Sequence, residues 1–211
     1  MKKLILTAGL FISALCSGCG MNGMQAAQYE INNQMVSVLL NYDKRTESIE
    51  KIASILVNAK TIDMHLINDL EAGKKSVKML ASQATNQPSN VIIRDLDGRL
   101  KTMTTAENNI IVAAKKALKE NSDKFGISES KILKDGINSD GDLSKNINRE
   151  KARYLVNVRS YNDIIGVFPA YVTAKMIREE PRVALSIDGI DTGKDNAGKL
   201  SDAAIVKPKS E

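Results

Sequence analysis

Cysteine is scarce in this chain of 211 residues: there are two, Cys16 and Cys19, both within the first 20 positions. The rest of the chain therefore has neither a disulfide framework nor a thiolate metal site. Tryptophan is missing, and aromatic residues make up only 4% of the sequence. A core built from aliphatic side chains, methionine and alanine suits packed helices better than a β-sandwich.

Histidine occurs once, as His65. A serine nucleophile needs a histidine or lysine base, and the sequence has neither a nucleophile-elbow pattern nor a glycine-rich phosphate loop. Asp69 follows His65 at the i+4 spacing of helical metal ligands, but a third ligand would have to come from another helix. We therefore predict no enzymatic activity, no cofactor and no metal site.

A strong excess of charge of either sign is also absent. The chain has 30 basic and 25 acidic residues, and without Lys2 and Lys3 its net charge falls from +5 to +3. A nucleic-acid-binding protein concentrates its basic residues, whereas here Lys and Arg alternate with Asp and Glu. Nucleic acid is therefore not an expected partner.

The N-terminus has the features of a secretion signal. Lys2 and Lys3 precede an apolar run over residues 4–15, which is too short to span the roughly 30 Å hydrocarbon core of a bilayer. The sequence Leu15-Cys16-Ser17-Gly18-Cys19 that follows resembles a bacterial lipobox. We predict a lipoprotein signal peptide over residues 1–18, cleaved before Cys19. Cleavage before Cys16 would put Leu15 where a small residue is needed, and the other alternative is a secretory signal with an incidental cysteine.

An acylated Cys19 would attach the protein to a lipid bilayer. One acyl chain binds a membrane marginally, whereas the two or three chains of a mature lipoprotein (palmitate among them) anchor it stably. Gly20 follows the cysteine, and by resemblance to enterobacterial sorting rules this favours the periplasmic face of an outer membrane. Residues 19–28 are predicted to form a lipidated, flexible tether.

Apolar residues recur at heptad spacing over residues 25–84, which contain no proline, and this predicts one helix of 55–60 residues. Lys60 and Asp63 are polar interruptions of that stripe. Pro88 ends the segment, and residues 91–99 are expected to be an irregular or short helical connection. Thr104 or Thr105 then caps a second helix that ends near Gly126.

A third helix is predicted to follow a loop. Residues 128–134 indicate a short helical turn, and residues 135–142 are rich in turn formers. An EF-hand alignment of that loop fails, because Gly136 and Ile147 fall where calcium needs carboxylates. The last long helix opens at Asp142 or Ser144 and runs to Pro169. Its apolar stripe is interrupted by Lys151 and contains a heptad repeat of aromatic residues, namely Tyr154, Tyr161 and Phe168.

Together these segments predict an all-α fold: an up-and-down bundle of three to four long helices over residues 29–188, with coiled-coil-like spacing. From residue 189 to 211 the chain has no apolar periodicity, and we predict a disordered tail.

Several motifs of the last helix resemble the LemA family. They are Ala152-Arg153-Tyr154, Tyr161-Asn162, Ile165 and Phe168-Pro169 at their present spacing. Lys44-Arg45 before Ile49 resembles the family's basic-to-apolar entry on its first long helix, and Thr105-Ala106-Glu107-Asn108 resembles the start of its second helix. The resemblance covers residues 29–185 and implies a long-helix bundle on a membrane anchor. It gives Tyr154, Tyr161, Asn162, Phe168 and Pro169 a structural role.

These observations favour a membrane-anchored lipoprotein of the cell envelope that acts as a scaffold or adaptor through a helix face, with an unidentified envelope protein as partner. The alternative is a binding module for lipid or another apolar ligand, because helix bundles also hold ligands between their helices.

Overall fold

The computed structural model describes residues 2–167 and 170–187, with side chains from residue 21 onward. Within these residues no β-strand occurs, and the prediction of an all-α helical bundle is confirmed. A 3₁₀ turn, Ser122–Lys124, separates the third and fourth helices. The helices are α1 (Lys2–Asn58), α2 (Met64–Asn86), α3 (Asn90–Glu120), α4 (Ile127–Gly166) and α5 (Ala170–Met176).

Two helix pairs build the bundle. α1 and α4 are antiparallel, since Gln34 of α1 contacts Glu150 while Arg45, further along α1, contacts the earlier residue Asp140. α2 packs on α3, where the backbone of Gly73 leaves room for Met103. A single core of Ile, Leu, Val, Met and Ala side chains runs between the four longer helices.

The prediction of one helix over residues 25–84 is wrong, because a turn separates α1 from α2. Lys60 has a positive φ of 53°, and the amides of Lys60 and Thr61 bond back to the carbonyls of Val57 and Leu56. This is a Schellman motif, which ends a helix. Asp63 then caps α2 by accepting a hydrogen bond from the His65 amide at 2.9 Å. The polar interruptions of the heptad stripe therefore mark the turn.

Two segments that were predicted to connect helices lie within long helices instead. Residues 91–99 lie within α3, which Ser89 caps, and the second helix therefore begins well before Thr104. Ile93 and Leu96 are buried there, and their packing outweighs the low helix propensity of the Asp-Gly pair beside them. Residues 135–142 likewise lie within α4, whose N-cap is Gly126.

The structure also corrects the N-terminal boundary of the predicted domain. Residues 19–28 are helical rather than a flexible tether, and Met24 is only 2% exposed, so the packed bundle begins there and not at residue 29. The predicted tail over 189–211 lies outside the described residues. No helix in the described part of the chain is long and apolar enough to cross a membrane.

Candidate functional site

A cluster of charged residues lies in the centre of the bundle, where α1, α3 and α4 meet. The Arg45 guanidinium donates from Nη1 to Glu107 Oε2 at 2.8 Å and from Nε to Asp140 Oδ1 at 2.8 Å. Its Nη2 donates to Asn108 Oδ1 at 2.7 Å, and Thr46 Oγ1 donates to Glu107 Oε1 at 2.7 Å. Arg45 and Glu107 are 3% and 0% exposed. We call these five residues the central cluster.

Burial dominates the electrostatics of this cluster. Desolvation raises the pKa of Glu107 above its ordinary value, and the nearby Asp140 carboxylate adds to the rise. The Arg45 charge and the Thr46 hydroxyl act in the opposite direction but do not cancel it. The cluster therefore holds a carboxylate that takes up a proton more readily in the folded protein than in the unfolded chain.

A polar cavity of about 90 Å³ adjoins the cluster, and Tyr42, Arg45 and Asn108 are among its lining residues. Thr104 Oγ1 and Asn148 Oδ1 also line it, and they are the only buried side-chain polar atoms of the described residues without a hydrogen-bond partner. A polar space of this size is suited to a few water molecules, which would satisfy both atoms.

Lys151 extends the polar centre along α4. Its side chain is 1% exposed, and its ammonium lies 5.2 Å from the centroid of the Tyr42 ring. An aromatic face attracts a cation, and the attraction is stronger away from water. The charged residue that interrupts the heptad stripe of α4 is thus part of the interior.

The aromatic residues singled out in the sequence lie in the core near the other end of α4. Tyr154 and Tyr161 are 2% and 0% exposed, and burial raises the pKa of both phenols. The Tyr161 hydroxyl donates to Glu179 Oε2 at 2.8 Å and accepts a hydrogen bond from Gln28 Nε2 at 3.3 Å. Tyr161 therefore joins α1 to the segment that follows α5.

That segment, residues 179–187, forms an extended strap across the bundle. Asn162 donates from Nδ2 to the Arg182 carbonyl at 3.0 Å and accepts from the Arg182 amide at 2.7 Å. Asn90 of α3 makes the same pair of bonds, to the Pro181 carbonyl and from the Val183 amide. Asp97 accepts hydrogen bonds from the amide and hydroxyl of Ser186.

Apolar contacts complete the attachment of the strap. Leu185 and Ile187 are 0% and 8% exposed. The Arg182 guanidinium stacks 5.8 Å from the Tyr161 ring centroid and donates to the Pro88 carbonyl. A segment without secondary structure of its own is thus held by side chains from α3 and α4.

The remaining predicted residues are not part of either polar site. Phe168, Pro169 and the side chain of Cys19 lie outside the described residues. The His65 side chain is 76% exposed, and its Nδ1 is 3.0 Å from Asp69 Oδ2. In the part of the chain that the structure describes, no three His, Cys, Asp or Glu residues are grouped closely enough to hold a metal ion.

Sequence reasoning missed the central cluster and most of the strap. Arg45 and Glu107 were named only within motifs that resemble the LemA family, and Asp97 and Asp140 were placed in connections between helices. The one signal was Lys151, a charge at an apolar position of a heptad stripe. A charged residue at an apolar position of a heptad repeat indicates either that the heptad register was assigned wrongly or that a polar site is buried there.

Comparisons with models of known protein families, with curated proteins and with solved structures gave no match. The function proposed for the chain therefore depends on its sequence and its geometry.

Proposed function

We propose that this protein is a LemA-like lipoprotein that is acylated at Cys19 and acts as a helical scaffold on the periplasmic face of a bacterial membrane, most simply the outer membrane. The observation that carries the proposal is the continuity of α1, a single helix over Lys2–Asn58 that contains Cys19. Cleavage before Cys19 would leave that residue at the first position of the same helix. Whatever holds the N-terminal end of α1 then also orients the bundle.

Rigid attachment of the other helices to α1 supports this role. Arg45 ties α1 to α3 and α4 at the centre, and Gln28 ties it to Tyr161 and so to the strap. At 1.5 Å per residue, the part of α1 from Met24 to Asn58 is about 50 Å long. A partner bound along it would be held at a fixed distance from the membrane.

An exposed apolar row on α1 supplies a surface for a protein partner. Tyr29, Val36 and Leu40 are 66%, 43% and 52% exposed. Their spacing of seven and four residues puts them on one face of the helix. Helix faces with a few apolar anchors are a common mode of protein recognition. We propose that an envelope protein docks on this row.

Site-specific photocrosslinking in cells tests this proposal. A crosslinking amino acid at position 36 or 40 should capture one partner, and Leu40→Glu should abolish capture from position 36. Val112 of α3 is 63% exposed and does not belong to the row, so the same amino acid there is the matched control. Equal capture from positions 36 and 112, or none from 36 and 40, would contradict the scaffold function.

A groove between α1 and α2 favours a second candidate, an apolar or amphipathic ligand. It has a volume of about 290 Å³, with Leu39, Val77 and Met103 among its apolar lining residues and Lys74 and Lys78 among its charged ones. Ala81 lines it as well, so Ala81→Leu would fill part of the space. Native mass spectrometry of the full chain should show a bound lipid that Ala81→Leu removes. Absence of any bound mass would dismiss this candidate.

A further inference from the structure

α5 packs with its small residues and exposes its large apolar ones. Ala170, Thr173 and Ala174 are buried, whereas Tyr171, Val172 and Met176 are 50%, 45% and 78% exposed. Because burial of apolar area drives folding, a helix that only had to fold would place its larger side chains inside. An outward face of this composition indicates that something other than water covers it.

The position of α5 follows from the antiparallel register of α1 and α4. Tyr161 lies beside Gln28, so Gly166 is at the level of residues 23–24 of α1, and α5 begins four residues later. α5 contacts both α1 and α4. It therefore lies at the end of the bundle nearest residue 21 of α1, and we call the exposed apolar residues at this end the terminal patch. The terminal patch consists of Met21, Val167, Tyr171, Val172, Met176 and Ile177.

Basic side chains flank the terminal patch. Lys175 and Arg178 are exposed, and the Lys175 ammonium lies 5.8 Å from the centroid of the Tyr171 ring. Glu180 is exposed as well, while the Glu179 carboxylate already binds Tyr161 and Arg182. Apolar side chains, a tyrosine and flanking basic residues together are the features of a helix that lies in the interface of an anionic membrane.

We propose that the terminal patch is a membrane-contact surface, and that α5 lies in the headgroup region of the bilayer that carries the protein. This inference rests on the proposed acylation of Cys19. Met21 is two residues beyond Cys19 in the same helix, a rise of about 3 Å, so an anchored chain would hold the patch against the bilayer surface. Insertion of such a face into the headgroup layer reaches roughly 5–10 Å.

The absence of tryptophan from the chain allows a clean fluorescence test. Tyr171→Trp reports on the terminal patch, and Ile127→Trp is the matched control. Ile127 is 94% exposed at the opposite end of α4, about 60 Å away. Both variants of the full chain, purified with their anchor, are reconstituted into vesicles of phosphatidylethanolamine and phosphatidylglycerol, with and without brominated acyl chains. Met176→Trp is a second reporter should the change at Tyr171 disturb packing.

In vesicles, the tryptophan at position 171 should shift to shorter emission wavelengths, lose at least half of its intensity to brominated lipid and become several-fold less accessible to acrylamide. The tryptophan at position 127 should show none of these changes. Lys175→Glu with Arg178→Glu, introduced together into the Tyr171→Trp chain, should weaken the quenching by brominated lipid, and phosphatidylcholine vesicles should weaken it as well.

Three results would overturn the inference. If the protein floats with vesicles while the tryptophan at position 171 behaves like the one at position 127, the anchor stands and the membrane contact of α5 fails. If the protein does not float, the proposed function fails as well. Shielding of position 171 without vesicles would identify another occupant. Loss of that shielding on deletion of residues 188–211 would assign it to that segment, and dependence on protein concentration would assign it to a second copy of the chain.

Discussion

The central cluster and the strap are both held by polar side chains, but in opposite ways. In the centre, Arg45 of α1 pairs with both Glu107 of α3 and Asp140 of α4, and Arg45 and Glu107 have almost no contact with water. Along the strap, half-buried Asn162 and Asn90 bind backbone groups of an extended segment. Buried ions determine which helices meet and at which level, since one ion without its partner is costly. Amide side chains replace the backbone partners that an irregular segment lacks.

Removal of the central cation should have the largest effect. Arg45→Met keeps the apolar stem but leaves Glu107 and Asp140 without their counter-charge, and loss of one partner of a buried pair costs about 3–5 kcal/mol. Urea unfolding followed by circular dichroism measures the change. Arg153→Met is the control, because Arg153 is 62% exposed and its pair with Glu150 is worth at most about 1 kcal/mol. An equal loss of stability in the two variants would show that the buried and the exposed charge contribute equally to the free energy of unfolding.

A pair of glycines on α4 tests how tightly the centre is packed. A Cβ at Gly136 would lie 2.8 Å from Ile52 Cδ1, whereas a Cβ at Gly141 would meet nothing within 4 Å. Both Gly→Ala changes improve helix propensity by roughly 1 kcal/mol, but overpacking at residue 136 costs about 1–3 kcal/mol. We therefore expect Gly141→Ala to stabilise the protein and Gly136→Ala to be less stable than it by about 1–3 kcal/mol. Equal stabilisation would show that α1 and α4 are loosely packed there.

Loss of hydrogen bonds to the strap should lower the free energy of unfolding by less than the changes at the centre, and its effect should remain confined to the strap. Asn162→Ala removes two hydrogen bonds to Arg182, which we expect to lower the free energy of unfolding by about 1–2 kcal/mol. The amides of Arg182 and Val183 should then exchange hydrogen faster while those near Arg45 do not. Asn157→Ala on the same helix is the control, since Asn157 makes one long contact of 3.4 Å. Faster exchange throughout the bundle would mean that the strap and the centre unfold together.

The smallest expected effect is on the pH dependence of the free energy of unfolding. Two carboxylates, Glu107 and Glu150, should contribute to it with opposite signs. The pKa of Glu107 is raised by burial, so its contribution is fully present below about pH 4.5 and is lost as pH rises through its folded-state pKa. Burial alone would raise the pKa of Glu150, but Gln34, Arg153 and Arg149 together lower it. Its contribution is present above about pH 4.5 and is lost as pH falls through the lowered pKa.

Unfolding curves from acidic to neutral pH for Glu107→Gln and Glu150→Gln measure these two slopes. Relative to the unsubstituted protein, Glu107→Gln should remove a loss of stability on raising the pH, and Glu150→Gln should remove a loss on lowering it. Slopes of the same sign would show that burial does not dominate at Glu107.

The helical class was predictable because it depends on local patterns. Heptad spacing and the break near Pro88 are visible in the sequence. Gly126 was predicted to end the second helix, but α3 ends at Glu120 and Gly126 is the N-cap of α4. The turn at Lys60 was not predicted, nor was the continuity of α3 through residues 91–99 and of α4 through residues 135–142. Propensity is weaker than burial, and the burial of Ile93 or Leu96 is known only once their neighbours are.

The candidate site was largely unpredictable for a related reason. Arg45 pairs with Glu107 and Asp140, which are 62 and 95 residues away, and no periodicity connects positions so distant. Asn162 was singled out only through the LemA resemblance, and its contact with Arg182, 20 residues away, was not predicted. The proposed acylation of Cys19 is different, since it was predicted directly from a short linear sequence that resembles a lipobox.

Acylation of Cys19 is the claim on which the scaffold, its fixed height and the membrane contact of α5 all depend. Growth of cells with radiolabelled palmitate, followed by isolation of the full chain and of its Cys19→Ser variant, tests it directly. We expect label in the unsubstituted protein, and its loss together with loss from the membrane fraction in the variant. Label retained in Cys19→Ser, or absent from both proteins, would contradict the account.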